Sequence, residues 1–189
     1  SSTWWSAQDE VNLWNARLQE ANLGRAISNV ALLVPNSTQY ADHLDHPGRL
    51  MNSHWGQAYY AIEDTQTCFD LIDESNINDN PIMHFKGQAI DGGLKLGVQT
   101  YETIILPYAK TLSLKAAQTL RETAEKGGTI IAYQIIPEEE IDGKDRELAT
   151  EMKALFGDTP SDKAHTVDKG WTAFAKNEKQ LQALLAETG

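Results

Sequence analysis

Five histidines, a single cysteine and 27 carboxylates carry most of the reactive chemistry open to this 189-residue sequence. The densest group runs from Asn36 to Trp55. Asn36, Ser37 and Thr38 follow an apolar run; Asp42, His43, Asp45 and His46 come next; His54 and Trp55 open a helical pattern. Histidines three or four residues apart on a helix can share a metal ion. Here Pro47 and Gly48 disfavour a helix, and no third ligand is fixed by spacing, so the His43–His46 stretch reads as a solvated loop. Contact with a sugar or with a neighbouring domain is the alternative. A tryptophan on the apolar face of a helix is usually core, although Trp55 could also stack on a sugar ring. Asn36, His43, His46, His54 and Trp55 are therefore the candidate ligand or interdomain contacts. No catalytic residue, metal site or cofactor is expected.

Other constellations are weaker. A nucleophile raised on a strained strand-to-helix turn needs Gly-x-Ser-x-Gly or its cysteine equivalent, and the sequence has neither. Cys68, beside Phe69, reads as a small buried hydrophobe. Pro35-Asn36-Ser37-Thr38 lacks the glycines that let backbone amides wrap a pyrophosphate, which leaves Ser37 and Thr38 as a weak pointer to a flavin phosphate. Glu138-Glu139-Glu140 is a charge run, expected in a solvated loop or helix start. Pairs of carboxylates are too common here to single out a glycosidase pair, whose separation across a cleft decides its chemistry.

These residues must be held by elements, and the apolar pattern supplies them. Residues 6–23 repeat Val11, Trp14, Leu18 and Ala21 at helical spacing, with Gly24 as a stop. Residues 29–34 form a nearly continuous apolar run, as in a strand buried on both faces. A long polar loop is expected over 39–52. Ser53 is placed as the cap of a helix whose face runs through Trp55, Tyr59, Ile62 and Gln66. Strands are predicted at 69–73, 102–107, 129–133 and 171–176. Asp91-Gly92-Gly93 marks a hairpin within 87–98. Helices follow Ser113, run from about 144 to 156, and close the chain from 179 to 187; Gly127-Gly128 ends the first of them. Strands alternating with helices imply parallel pairing through right-handed crossovers. Ligands in such sheets bind at the carboxyl ends of the strands. Asp73 and Glu74, Pro107 and Tyr108, and Gln134 stand there as well.

Composition narrows the partners. About 41% of the residues are hydrophobic and 23% charged, which is ordinary for a globular domain. A net charge of −11 argues against nucleic acid, whose phosphates call for a concentrated basic face. One cysteine allows no intrachain disulfide. No apolar run of about 20 residues is present to span a membrane, and the opening residues do not read as a signal peptide. Starting at Ser1-Ser2 and entering a helical pattern at once, the chain reads as a piece excised from something larger.

Three stretches carry a family likeness. The first is Asn15-Ala16-Arg17-Leu18 through Gly24 into Asn29–Pro35. The second is Phe69-Asp70-Leu71-Ile72-Asp73-Glu74. The third runs from Asp91-Gly92-Gly93 through Tyr101–Pro107 to Leu120–Ile131. Over roughly residues 10–187 the chain resembles the amidotransferase-like domain of large bacterial glycoside hydrolases, above all the family 106 α-L-rhamnosidases. The trimerisation domain of family 42 β-galactosidases is a more distant relative in fold. The resemblance implies a three-layer α/β fold with an open, mostly parallel sheet, flavodoxin-like or class I glutamine amidotransferase-like, with a small β-hairpin insertion. It implies a helical segment at 1–28 and the α/β domain at 29–189. It also implies a catalytic domain of the same polypeptide as partner, carbohydrate nearby, and a secreted or periplasmic setting. The catalytic carboxylates are then expected in the barrel domain, outside this segment. The glutaminase cousins of the fold use a cysteine at an elbow, which this sequence lacks. A stand-alone flavodoxin-like ligand-binding protein is the alternative.

Overall fold

The computed structural model of the chain describes residues 11–14, 17, 28–45, 49–77 and 86–188; for 42–45 and 49–52 it describes the backbone alone. Most of the expected helix over 6–23, including its stop at Gly24, lies outside the described residues. Residues 11–14 and 17 are helical.

Five segments form the parallel strands of one sheet: β1 (Val30–Val34), β2 (Phe69–Asp73), β6 (Thr103–Pro107), β8 (Thr129–Tyr133) and β11 (Gly170–Ala175). The sheet order is β10-β11-β8-β6-β1-β2, where β10 (His165–Val167) is an antiparallel edge strand on β11. The parallel strands, counted along the chain, are thus arranged 2-1-3-4-5, the flavodoxin-like order. In-register pairs include Leu32 with Leu71, Leu32 with Ile105, and Ile105 with Ile131.

Strand periodicity divides the apolar residues between two cores. Ala31, Leu33, Ile104, Leu106, Ile130 and Ala132 point to one face. Val30, Leu32, Ile105, Ile131 and Tyr133 point to the other. The first face is covered by α4 (Leu114–Glu125) and α5 (Asp145–Phe156), through residues such as Ala117, Leu120, Leu148 and Leu155. The second is covered by α2 (Arg49–Asp64) and α6 (Glu178–Glu187), through Ala58, Ile62, Leu181 and Leu184. Three layers result, because the central strands β1, β6 and β8 are apolar on both sides and each covering helix on one. Ser113 caps α4 as expected, its side chain accepting from the Ala116 N–H at 3.2 Å.

Several expectations are corrected. The polar stretch predicted as a loop over 39–52 is taken up by most of α1 (Asn36–Asp45) and the first turn of α2. Polarity marks a surface, whereas Gln, Ala and Leu in this stretch are good helix formers; α1 ends at Asp45 and α2 starts at Arg49, and 46–48 lie outside the described residues. Ser53 consequently lies inside α2 rather than at its cap. That helix stops at Asp64, and Gln66 adopts φ 57 just beyond it. The predicted hairpin is a three-stranded antiparallel sheet of β3 (Gln88–Ile90), β4 (Gly93–Leu96) and β5 (Gln99–Tyr101). Short α3 (Glu74–Ile77) follows β2 directly. Glu139–Glu140 is no solvated run: it forms β9, parallel to β7 (Thr111–Leu112), and Glu140 is buried.

Glycines let the amino ends of β8 and β11 close up. A Cβ on Gly170 would overlap the carbonyl oxygens of Gly128 and Ala124, and one on Gly93 the carbonyl of Tyr101. The hairpin turn is tied to the end of α4 by Gly92 N–H to the Lys126 carbonyl (2.7 Å) and Lys126 Nζ to the Ala89 carbonyl (2.7 Å).

Candidate functional site

The strand order reverses between β1 and β6, and the carboxyl edge on either side of that point is where an open α/β sheet takes a ligand. On the β1/β2 side, Asn36 opens α1 and its Nδ2 donates to Asp73 Oδ2 at the tip of β2. The Ser75 N–H donates to the other oxygen of Asp73 at 2.7 Å. Glu74 is only 3% exposed; its Oε1 accepts from the Ser113 N–H at 3.0 Å, and its Oε2 is buried without a partner. A cavity of about 400 Å³ lies against Asn36, Ser37, Tyr40, Asp73, Glu74 and Ser75. Thr38 takes no part in it. Fully buried, its hydroxyl accepts from the Thr111 N–H (2.9 Å) and donates to the Thr111 carbonyl (3.2 Å). With Thr38 so engaged and two carboxylates beside the start of α1, the weak flavin-phosphate pointer loses its support.

On the β6/β8 side, the residues just past both strand tips sit in the left-handed region: Tyr108 at φ 45 and Gln134 at φ 66. Bulky residues avoid that region, so both tips are locally strained. The strain is held by the neighbouring backbone. Tyr108 N–H donates to the Tyr133 carbonyl at 3.0 Å, and Gln134 N–H to the Ala175 carbonyl at 2.8 Å. The Tyr108 ring stacks on His54, with centroids 4.5 Å apart. Gln134 Nε2 donates to Gln57 Oε1 (2.8 Å) and to the Tyr133 hydroxyl (3.1 Å). Burial, with the nearby charge of Glu178, holds the Tyr133 phenol above its usual range, so it stays neutral. Two buried atoms are unpartnered here, His54 Nδ1 and Gln134 Oε1. A second cavity, of about 460 Å³, opens beside Gln57, Tyr133 and Gln134 and extends to Lys176, Asn177 and Lys179.

A tip in left-handed conformation resembles a nucleophile elbow in its backbone alone. The side chains there are a phenol and an amide. No helix begins directly behind Gln134 to offer its amides to an oxyanion, since α5 starts only at Asp145. Cys68 corrects the sequence expectation of a buried thiol: it is exposed. It lies in the turn before edge strand β2, where its carbonyl accepts from Ser28 Oγ at 3.3 Å, and so at the opposite end of the sheet from the strained tips.

Of the five predicted contact residues, Asn36 borders the first cavity and His54 joins the second cluster. Trp55 is half-buried against the α2/α6 core, and its Nε1 donates to the Leu33 carbonyl at 3.2 Å, which is the core role. The His43 side chain and all of His46 lie outside the described residues. Sequence reasoning passed over Tyr40, Gln57 and the burial of Glu74. An acidic pair at a strand end followed by a cap-forming Ser113 was the available signal for Glu74, but the partner lies 39 residues away in sequence. Among the described residues, no group of three or more His, Cys, Asp or Glu could hold a metal ion. No helix among them is long and apolar enough to cross a membrane. Compared with known proteins, the chain fits no family model, and no curated sequence matches it.

Proposed function

We propose that this chain is a non-catalytic accessory domain of a larger carbohydrate-active glycoside hydrolase, of the α-L-rhamnosidase kind that its strand-end motifs resemble. It packs on the catalytic domain of the same polypeptide and shapes the sugar cleft with its carboxyl edge. The single observation behind this reading is the pair of strained tips at Tyr108 and Gln134. Both tips have left-handed backbone, as an elbow does, but they carry a phenol and an amide in place of the serine or cysteine of an elbow. An edge of that kind suits contact and positioning rather than bond cleavage.

The full-length open reading frame is the first test. The reading expects a catalytic barrel and a β-sandwich in the same polypeptide as this segment. The purified chain, assayed alone on aryl glycosides, is expected to give no turnover; activity that survives repurification overturns the reading. The runner-up is a stand-alone flavodoxin-like ligand-binding protein, which the cavity beside Asn36 and Glu74 favours. A gene encoding this domain and nothing else would decide for it.

A further inference from the structure

The open edges of the sheets are not treated alike. At one end of the central sheet, β10 is three residues long and antiparallel to its neighbour. In the small sheet, the Ala89 carbonyl of β3 is taken by Lys126 Nζ. At the other end of the central sheet, β2 keeps five residues in unbroken register with β1, from Phe69 against Val30 to Asp73 against Val34. No described strand pairs with its outer side. It has no bulge, proline or lysine, which are common guards of an open edge. Its two carboxylates are committed within the chain. Asp70 Oδ2 accepts from the Tyr101 hydroxyl at 3.1 Å, and Asp73 accepts from Asn36 Nδ2 and from the Ser75 N–H.

Apolar side chains stand beside that edge. Leu71, the central residue of β2, is 51% exposed. It shares a sheet face with Phe69, which packs against the α2/α6 core and meets the Tyr59 ring edge-on at 5.2 Å. Tyr59 in turn meets Tyr60 at 5.5 Å, and Tyr60 is 64% exposed. An edge without a strand partner, next to exposed apolar residues, is suited to take another strand. The sequence of β2 says which one. Turned antiparallel about Leu71, a second β2 sets Leu71 against its own copy, Asp70 against Ile72 and Phe69 against Asp73. No carboxylate then faces another, and the contact closes on itself as a two-fold interface must. Laid parallel and in register, the same strand would set each aspartate beside its own copy, where like charges repel, and would not close.

We propose that the outer edge of β2 is the interface with a second copy of this chain. The two strands pair antiparallel across a two-fold axis at Leu71 and join their sheets into one, with Leu71 and Tyr60 of both copies closing the seam. The inference stands apart from the accessory-domain reading and does not depend on it. Five strand residues a side make a small interface, so the association is weak and concentration-dependent.

The test is the solution mass of the whole chain, by sedimentation and light scattering, over a series from about 10 μM to about 1 mM, the weak end of specific association. The mass is expected to rise from monomer towards dimer. Leu71→Lys sets two ammonium groups against each other on the axis and should weaken association at least about tenfold. Lys153→Ala, on exposed surface elsewhere, should leave it unchanged. Oxidative cross-linking reads the geometry. In a Cys68→Ser background, Leu71→Cys should form an interchain disulfide, because opposed Cα atoms of an antiparallel pair lie about 4.5–5.5 Å apart, within a disulfide's reach. The native Cys68 is exposed, but the same register sets it opposite Glu74 and about 20 Å from its own copy, so it should not cross-link. The wild-type series and the disulfide decide the matter even if Leu71→Lys does not fold. A chain that stays monomeric to the top of the series overturns the proposal. So does a dimer that a folded Leu71→Lys leaves intact, a trimer, which two-fold edge pairing cannot close, or Cys68 cross-linking as readily as Leu71→Cys.

Discussion

The two ends of the central sheet are built on opposite principles. At the amino end, glycines bring main chain against main chain: Gly170 sits on the carbonyls of Gly128 and Ala124, and Gly93 on that of Tyr101. At the carboxyl end, side chains join in beside the main chain, and among the described residues three of their atoms, His54 Nδ1, Glu74 Oε2 and Gln134 Oε1, are buried without partners. Native interiors rarely leave such atoms unpaired. One end of the sheet is thus closed by tight main-chain contact, and the other keeps buried polar side-chain atoms that the described residues leave without partners.

The sharpest way to break this contrast is at the amino end. Gly170→Ala forces a methyl into two carbonyl oxygens, that of Ala124 in the last turn of α4 and that of Gly128 just before β8, and backbone there cannot give way cheaply. A loss of about 3 kcal/mol is expected, at the upper end of overpacking penalties, measured by urea unfolding. The carboxyl-edge contacts should be unaffected in whatever fraction remains folded. A neutral Gly170→Ala would mean that the amino end is looser than drawn.

Glu140 provides the next largest effect, because it is the carboxyl-edge counterexample: a buried carboxylate that is fully served. It accepts from the N–H groups of Leu114 (2.9 Å), Asp142 (2.7 Å) and Lys144 (3.2 Å). Burial pushes its pKa up, yet those three donors and the charge of Lys144 outweigh burial and hold it below the ordinary 4.5. A carboxylate with a depressed folded-state pKa stabilises the protein above its unfolded value, and that contribution is lost as pH falls through the folded one. Stability of the wild-type chain should therefore decline on acidification below 4.5, and Glu140→Gln should lack that part of the decline. At neutral pH the same substitution should cost about 2 kcal/mol, as hydrogen bonds to a charged acceptor do. A pH profile identical to wild type would show that Glu140 does not titrate in this way.

Smaller again is Trp55→Phe. The ring remains within the α2/α6 core, but the Leu33 carbonyl loses its indole donor, for an expected loss of about 1 kcal/mol by thermal or urea unfolding. Were Trp55 a sugar platform instead of core, glycoside binding would fall and stability would not.

How much of this was legible in the sequence follows from what each feature depends on. The five parallel strands and the face-to-face cores were readable because Val30–Val34, Thr103–Pro107 and Thr129–Tyr133 are continuous apolar runs, a local property. Helix α1 was misread because its residues are polar, and polarity reports exposure rather than conformation. Cys68 was misplaced because its burial depends on β2 being an edge strand, a fact of sheet order and not of neighbouring residues. The candidate sites were legible only as lists of strand-end residues. Asn36 meets Asp73 across 37 residues, and Gln57 meets Gln134 across 77. Such pairs come together only through the 2-1-3-4-5 order, and no spacing rule in one sequence encodes which tips become neighbours.

An effect no larger than that of Trp55→Phe is also the most discriminating. Gln134 carries the left-handed strain that makes its strand tip resemble an elbow, so replacing it separates backbone from side chain. Gln134→Ala and Gln134→Gly both remove the hydrogen bonds to Gln57 and Tyr133, and their losses on that account should be equal. Glycine alone escapes the cost of φ 66. Gln134→Gly should therefore be more stable than Gln134→Ala by about 1 kcal/mol, the reverse of the order these residues follow inside a helix or strand. The comparison between the two variants cancels their shared loss of contacts, which makes even this modest difference readable by chemical unfolding. An alanine variant as stable as the glycine one would mean that the tip is relaxed in solution, and the proposed accessory role would then lose the observation that carries it.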